Sequence, residues 1–221
     1  MIRLDSRHVE RTLAEAAIAG LGPGDGRVTV FDSDREDDLV PVLGAETSLA
    51  IDVRCRAAAA GLAVGPGSLT LRLTTAAAAR LDVASAFATA LSVREPGFRA
   101  GAVDLRIALQ EAIGNAVLHG NLGLDGGQRR TREGLVAFGT AMAARLADPA
   151  YAALAVTVAA EWDSRHLVVA VEDCGVGFDP AQVVSEAGTP MGMGLAVIRS
   201  RCGGVSFSKG GRRIAMAYAV E

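Results

Sequence analysis

Asp104 to Asn121 reads DLRIALQEAIGNAVLHGN. At about 100° per residue, Leu105, Leu109, Ala112, Ile113, Ala116 and Val117 fall on one broad arc. Asp104, Glu111, Asn115 and His119 fall in a narrow stripe on the opposite side, with Ile107 and Leu118 close beside it. A solvent-facing helix carries charge over much of its girth. This stretch is apolar almost all round, so the spacing predicts one long, buried helix. Glu111, Asn115 and His119 stand at i, i+4 and i+8 and stack along one face. A buried carboxylate and a buried amide need partners, so the stripe is expected to line a polar pocket.

Two glycine-rich stretches downstream suit such a pocket. They are Val171-Glu172-Asp173-Cys174-Gly175-Val176-Gly177-Phe178 and Gly192-Met193-Gly194-Leu195. Together the three stretches resemble the Bergerat-fold ATPases, the superfamily of gyrase, histidine kinases and MutL. Glu111-x-x-x-Asn115 matches the N box, Asp173-x-Gly175-x-Gly177 the G1 box, and Gly192-x-Gly194-Leu195 the G2 box. Each motif alone is weak, but all three occur in the family's order and spacing over residues 67–221. The resemblance implies an α+β fold, a two-layer α/β sandwich with a mixed, mostly antiparallel sheet covered by helices on one face. It divides the chain into a small αβ N-terminal extension, residues 1–66, with no assigned role, and an ATP-binding kinase domain, residues 67–221.

The resemblance also implies roles. Asp173 would accept the adenine amino group, with Gly175 and Gly177 letting backbone approach the base. Gly192, Gly194 and Leu195 would open a helix whose free N–H groups favour the triphosphate. Phe178 to Met191 would be the lid. Asn115 would ligate Mg²⁺, which prefers oxygen donors, and Glu111 would orient or deprotonate the attacking hydroxyl. The long lids of gyrase are absent, and Asn115-Ala116-Val117-Leu118-His119-Gly120 looks most like the bacterial anti-sigma-factor serine kinases. Members of that family hold a sigma factor and pass the γ-phosphate of ATP to a serine on a small antagonist protein. Two rivals remain: a histidine-kinase-type ATPase serving a separate phospho-acceptor, and an adaptor that binds nucleotide without transfer. The sequence departs from the family at Arg212, which follows Gly211 where Thr is usual. An arginine there could pair with phosphate, or the site could be degraded. His119 could touch phosphate or cap the helix C-terminus.

Flanking the motifs, Ser68 to Thr74 (SLTLRLT) alternates as a strand, and Thr75 is placed to cap a helix running to about Ser92. Leu154–Trp162 and His166–Asp173 read as a hairpin, and Val205–Ser208 with Arg213–Val220 as another around Lys209–Arg212. Gly120 to Gly127 is a glycine-rich turn, and Glu133 to Leu146 predicts a helix ended by Asp148-Pro149. Minimal relatives have little in 123–152, an insertion that is either a partner surface or a tolerated excursion. In the extension, Asp5-Ser6 would cap a helix from Arg7 to about Ala19, followed by strands at Arg27–Asp32 and Ser48–Val53. Asp32, Asp34, Glu36, Asp37 and Asp38 cluster between them, a solvated acidic loop rather than an EF-hand. His8 has a faint likeness to a phospho-acceptor histidine, against the plainer reading of a surface histidine.

The chain of 221 residues can bury a sizeable core. With 50% hydrophobic but only 4% aromatic residues, that core must be mostly Ala, Val and Leu. A net charge of −3 without a basic block argues against nucleic acid as partner. Cys55, Cys174 and Cys202 are scattered without metal spacing and read as small buried thiols in a reducing cytosol. No run of about 18 apolar residues occurs, and the start has no apolar signal segment. A cytoplasmic protein without membrane contact is expected; a homodimer is compatible with this.

Overall fold

The computed structural model describes the chain apart from residues 57, 58, 60, 63, 128–130, 180–189 and 221. It is an α+β structure built on one mixed sheet. In chain order the elements are β1 (Ile2–Ser6), α1 (Arg11–Ala17), β2 (Gly26–Phe31), β3 (Thr47–Asp52), β4 (Ser68–Thr74), α2 (Thr75–Arg80), α3 (Val83–Arg94) and α4 (Ala102–Asn115). A π-helical turn, Ala116–Asn121, continues α4. Then come α5 (Arg132–Ala147), α6 (Pro149–Ala152), β5 (Ala155–Trp162), β6 (His166–Glu172), α7 (Pro190–Ser200), β7 (Gly204–Ser208) and β8 (Arg213–Ala219). The sheet has 8 strands in the order β1-β2-β3-β4-β5-β6-β8-β7. Pairings from β1 to β4 are parallel, and the remaining four are antiparallel.

Alternation along the strands sorts side chains into two cores. Leu69, Leu71 and Leu73 of β4, Val156 and Val158 of β5, and Val169 and Val171 of β6 face one way. Against them pack Phe87 and Leu91 of α3, Leu105 and Leu109 of α4, and Ile198 of α7. Full burial of each such side chain is worth about 1.5–3 kcal/mol, so this layer dominates stability. A second, smaller cluster lies on the opposite face of the parallel strands, where Val28, Val30, Leu49 and Ile51 meet Ala14 of α1. The sandwich is thus two-layered over β5–β8 and carries an extra helix behind β2 and β3.

The extension joins the main sheet directly. β3 pairs with β4 through Leu49↔Thr70, Ala50↔Leu71 and Ile51↔Arg72. Asp52, only 1% exposed, seals the junction. Its carboxylate accepts N–H bonds from Ser33, Arg54 and, at 3.3 Å, Thr74 at the end of β4.

Several local expectations are revised. Asp5 and Ser6 end strand β1 rather than capping a helix, and α1 starts only at Arg11 without a side-chain cap. The expected helix from Thr75 to Ser92 is two helices. Thr74, not Thr75, caps the first by accepting from Ala77 N, and Asp82 caps the second by accepting from Ser85 N. Leu81 between them is extended, which breaks the helical run. The acidic loop is held by arginines: Arg54 pairs with Asp32 and Asp34, Arg7 with Glu36, and Arg80 with Asp37. Among the described residues no cluster of acidic, His or Cys side chains could hold a metal ion. His8 sits exposed in the turn after β1 with φ 52°, beside no helical hairpin. Within residues 123–152, Thr131 caps α5, which buries Phe138 in the main core and leaves Leu135 and Val136 exposed. Among the described residues no helix is long and apolar enough to cross a membrane.

Candidate functional site

The long helix changes character inside the N-box stretch. α4 stops at Asn115, and Ala116–Asn121 widens into a π turn, with Leu122 N bonding back to Val117 O at 2.9 Å. The expected single α-helix over 104–121 is therefore an α-helix ending in a π segment. Such turns often mark functional sites because the extra residue per turn re-aims side chains. Here it turns His119, Gly120 and Asn121 toward the end of β6.

A cleft opens at this point. Its walls are Asn115, Ala116, His119 and Gly120 from the helix, and Val171, Asp173, Gly177 and Phe178 from the end of β6. Leu195 of α7 and Phe207, Arg212 and Ile214 of the β7–β8 hairpin complete it. The rings of Phe178 and Phe207 meet edge to face, centroids 5.4 Å apart. Of the residues singled out from sequence, Asn115, Asp173, Gly177 and Leu195 line this cleft. Gly175 lies behind Asp173, its N–H donating to Asp173 Oδ1 at 2.8 Å. The backbone of Gly192 and Gly194 lies in α7 rather than before it. Most of the expected lid falls outside the described residues.

Glu111 occupies a different position from its stripe neighbours. It does not line the cleft; it lines an adjoining groove with Asp82, Ser85, Arg106 and Gln110. α7 crosses the stripe at Gly194. A Cβ there would stand 3.1 Å from Glu111 Oε2 and 3.5 Å from Asn115 Nδ2, so glycine permits this close crossing. Further along the stripe, Asp104 pairs with Arg201 at 2.9 Å. The polar stripe predicted from spacing is thus the seam between α4 and α7, with the cleft at one end.

Asp173 is the best-defined polar group of the cleft. β6 delivers it, and its N–H is fixed by Arg212 O at 3.0 Å. Oδ1 takes the Gly175 N–H. Burial raises its pKa, opposed by the Gly175 N–H and the Arg212 charge, while Glu172 adds to the rise. Gly120, which sequence reasoning passed over as part of a loop, packs against this carboxylate. A Cβ on Gly120 would lie 2.4 Å from Asp173 Cγ. Its neighbour His119 bonds Leu124 O through Nδ1 at 2.7 Å, so Nδ1 carries the proton and the ring anchors the loop beyond the helix. Arg212 stands at the Asp173 end of the cleft, with Nε donating to Lys209 O at 3.0 Å.

Chemically, the cleft offers a half-buried carboxylate acceptor, two aromatic rings, the flank of α7 at Leu195 and a neutral amide. That combination suits a flat base with an exocyclic amine, joined to a polyanion. Residues 74–218 match the family model of the histidine kinase-like ATPase domain. No curated protein matches the sequence.

Proposed function

The chain belongs to the histidine kinase-like ATPase family, and from that premise we propose that it is an ATP-dependent serine kinase of the anti-sigma-factor type, acting on a small antagonist protein. The observation that carries the reading is the convergence of Asp173, Asn115 and α7 on one cleft. Asp173 would accept the adenine amino group, and the contacting rings of Phe178 and Phe207 would form an apolar wall beside the base. Asn115 supplies a neutral oxygen for Mg²⁺, an ion that keeps few protein ligands beside substrate phosphates. α7 begins at Pro190, and the free N–H groups of its first turn, that of Gly192 among them, would face the triphosphate.

Glu111 is the residue proposed to serve transfer. Its carboxylate lies past Asn115, outside the nucleotide cleft, beside the groove bounded by α3 and α4. A hydroxyl arriving there could be oriented or deprotonated by Glu111 while nucleotide fills the cleft. Catalysis of phosphoryl transfer rests mostly on positioning and charge stabilisation. The partners in this reading are a sigma factor and its antagonist. A second reading, a nucleotide-binding adaptor without transfer, draws on Arg212 in place of the family's Thr.

The test uses purified protein, Mg²⁺ and γ-labelled ATP with fractionated extract of the source cell. Acid-stable label on a small protein is the expected result; acid-labile label would assign a histidine acceptor instead. Glu111→Ala should keep or improve ATP affinity, because a like charge beside the triphosphate is removed, and slow transfer by about 10²–10⁴. Asn115→Ala should weaken Mg²⁺-dependent binding. Transfer by Glu111→Ala at the wild-type rate would refute the role given to that carboxylate, and no transfer by the wild type would leave the adaptor.

A further inference from the structure

Asn121 closes the π turn and is only 3% exposed. Its side chain joins three separate parts of the chain. Nδ2 donates to Thr75 Oγ1 at 2.8 Å and to Ala155 O at 3.0 Å. Oδ1 accepts the Cys174 N–H at 2.7 Å. The orientation of the amide is not ambiguous, since Ala155 O can only accept and the Cys174 N–H can only donate. Thr75 is itself fixed, its hydroxyl donating to Leu154 O at 2.9 Å. Both amide hydrogens are used, and the acceptor side holds the residue that follows Asp173.

The Cys174 amide is the first link of the turn that presents Asp173. The turn is pinned at Asp173 N by Arg212 O and at Gly175 N by Asp173 Oδ1. Without Asn121 the peptide between these two points loses its only side-chain partner among the described residues. Glycine at 175 and 177 leaves little else to stiffen that segment.

We infer that Asn121 is the positioning residue for base recognition: by holding the Cys174 N–H it sets the direction in which Asp173 presents its carboxylate to the base. The inference rests on the reading of Asp173 as acceptor for the adenine amine. A carboxylate so aimed favours adenine, whose exocyclic amine donates, and repels guanine, whose O6 accepts. A turn that wanders weakens the first effect and relieves the second, so base selectivity falls.

The test measures ATP and GTP affinity, with Mg²⁺, on the purified full chain. The ratio of the two affinities does not depend on the fraction of molecules folded, so a purely structural defect leaves it unchanged. Asn121→Ala should lower the ATP/GTP preference about three- to tenfold, the worth of one net hydrogen bond. Thr75→Val, which removes the acceptor on the far side of the amide together with the hydroxyl's own bond to Leu154 O, should shift the ratio in the same direction by less. It carries the test if Asn121→Ala does not fold. Asp173→Asn is the control and must lower the ratio itself. If it does and the Asn121 and Thr75 variants keep the wild-type ratio, the positioning role is overturned while the adenine reading stands. If Asp173→Asn leaves the ratio unchanged, the adenine reading fails and the inference falls with it.

Discussion

Replacing Asp173 with Asn is the most informative single change, because the structure predicts opposite effects on binding and on the empty fold. In the wild type, Oδ1 is occupied by the Gly175 N–H, and Oδ2 has no donor among the described residues. An asparagine keeps one oxygen and gains an NH₂. If the oxygen stays on Gly175, the NH₂ faces the adenine amine; if the amide flips, it faces the Gly175 N–H. Either way one donor opposes another, and Gly120 against the carboxylate leaves no room for a third arrangement. The loss is a charge-assisted hydrogen bond, about 1.5–3 kcal/mol, or roughly ten- to 150-fold in ATP affinity. Stability should move the other way. The pKa of Asp173 is raised by burial above its ordinary 3.8. The native state therefore holds that proton more tightly than the unfolded chain, and stability falls as pH rises from the unfolded pKa through the folded one. At neutral pH the ionised carboxylate is a burden on the empty protein, so the Asn variant should melt no lower than wild type. Isothermal calorimetry and thermal melts of the unliganded protein give the two readings. Calorimetry below neutral pH adds a third. The wild type should lose affinity on acidification starting above the usual Asp range, and the variant should lack that component. Equal ATP affinity in both proteins would refute the adenine assignment, and an affinity loss matched by a fall in melting temperature would mean that Asp173 is structural.

Gly120→Ala should cut ATP affinity by at least about tenfold, because the new methyl would lie 2.7 Å from both Asp173 oxygens and displace them; nucleotide titration showing wild-type affinity would contradict that contact. A fragment of residues 67–221 keeps every residue that lines the cleft. It loses the β3–β4 pairing, the Asp52 acceptor for Thr74 N, and Phe31, Leu39, Val42, Leu43 and Ala50 from the main core. We propose that the fragment carries the nucleotide site alone, and expect it to bind an ATP analogue with Mg²⁺ but to melt at least about 10 °C below the full chain. A folded fragment without binding would assign part of the site to residues 1–66, and an unchanged melting temperature would make the extension a mere appendage.

Much of this molecule could be read locally. The alternation of Leu69, Leu71 and Leu73 marked β4 with its observed bounds, and the two apolar runs around Asp163-Ser164-Arg165 marked the β5–β6 hairpin. Of the residues in the three boxes, Asn115, Asp173, Gly177 and Leu195 line one cleft. Strand period and chemical motif are properties of neighbouring residues, so they survive without the fold. Other features were invisible for the same reason. IRLDS has no clear period, and it becomes β1 only because β2 offers its edge from Gly26 to Val30. The helix expected from Thr75 to Ser92 breaks where Leu81 turns extended and Asp82 caps a second helix, while Thr75 itself is tied to Leu154 O, 79 residues away.

The sequence by itself determined which residue types line the cleft and that the chain folds as helices over a sheet. Only the tertiary structure decided where they stand. It set Glu111 outside the cleft, beside Gly194, although the helical spacing put it in line with Asn115. It also brought Asn121 under the Asp173 turn, 53 residues along the chain. Spacing fixes which face of a helix a side chain occupies, but the element that crosses that face is chosen by long-range packing. The partner of a buried amide is likewise whichever distant backbone group the packed sheet delivers to it.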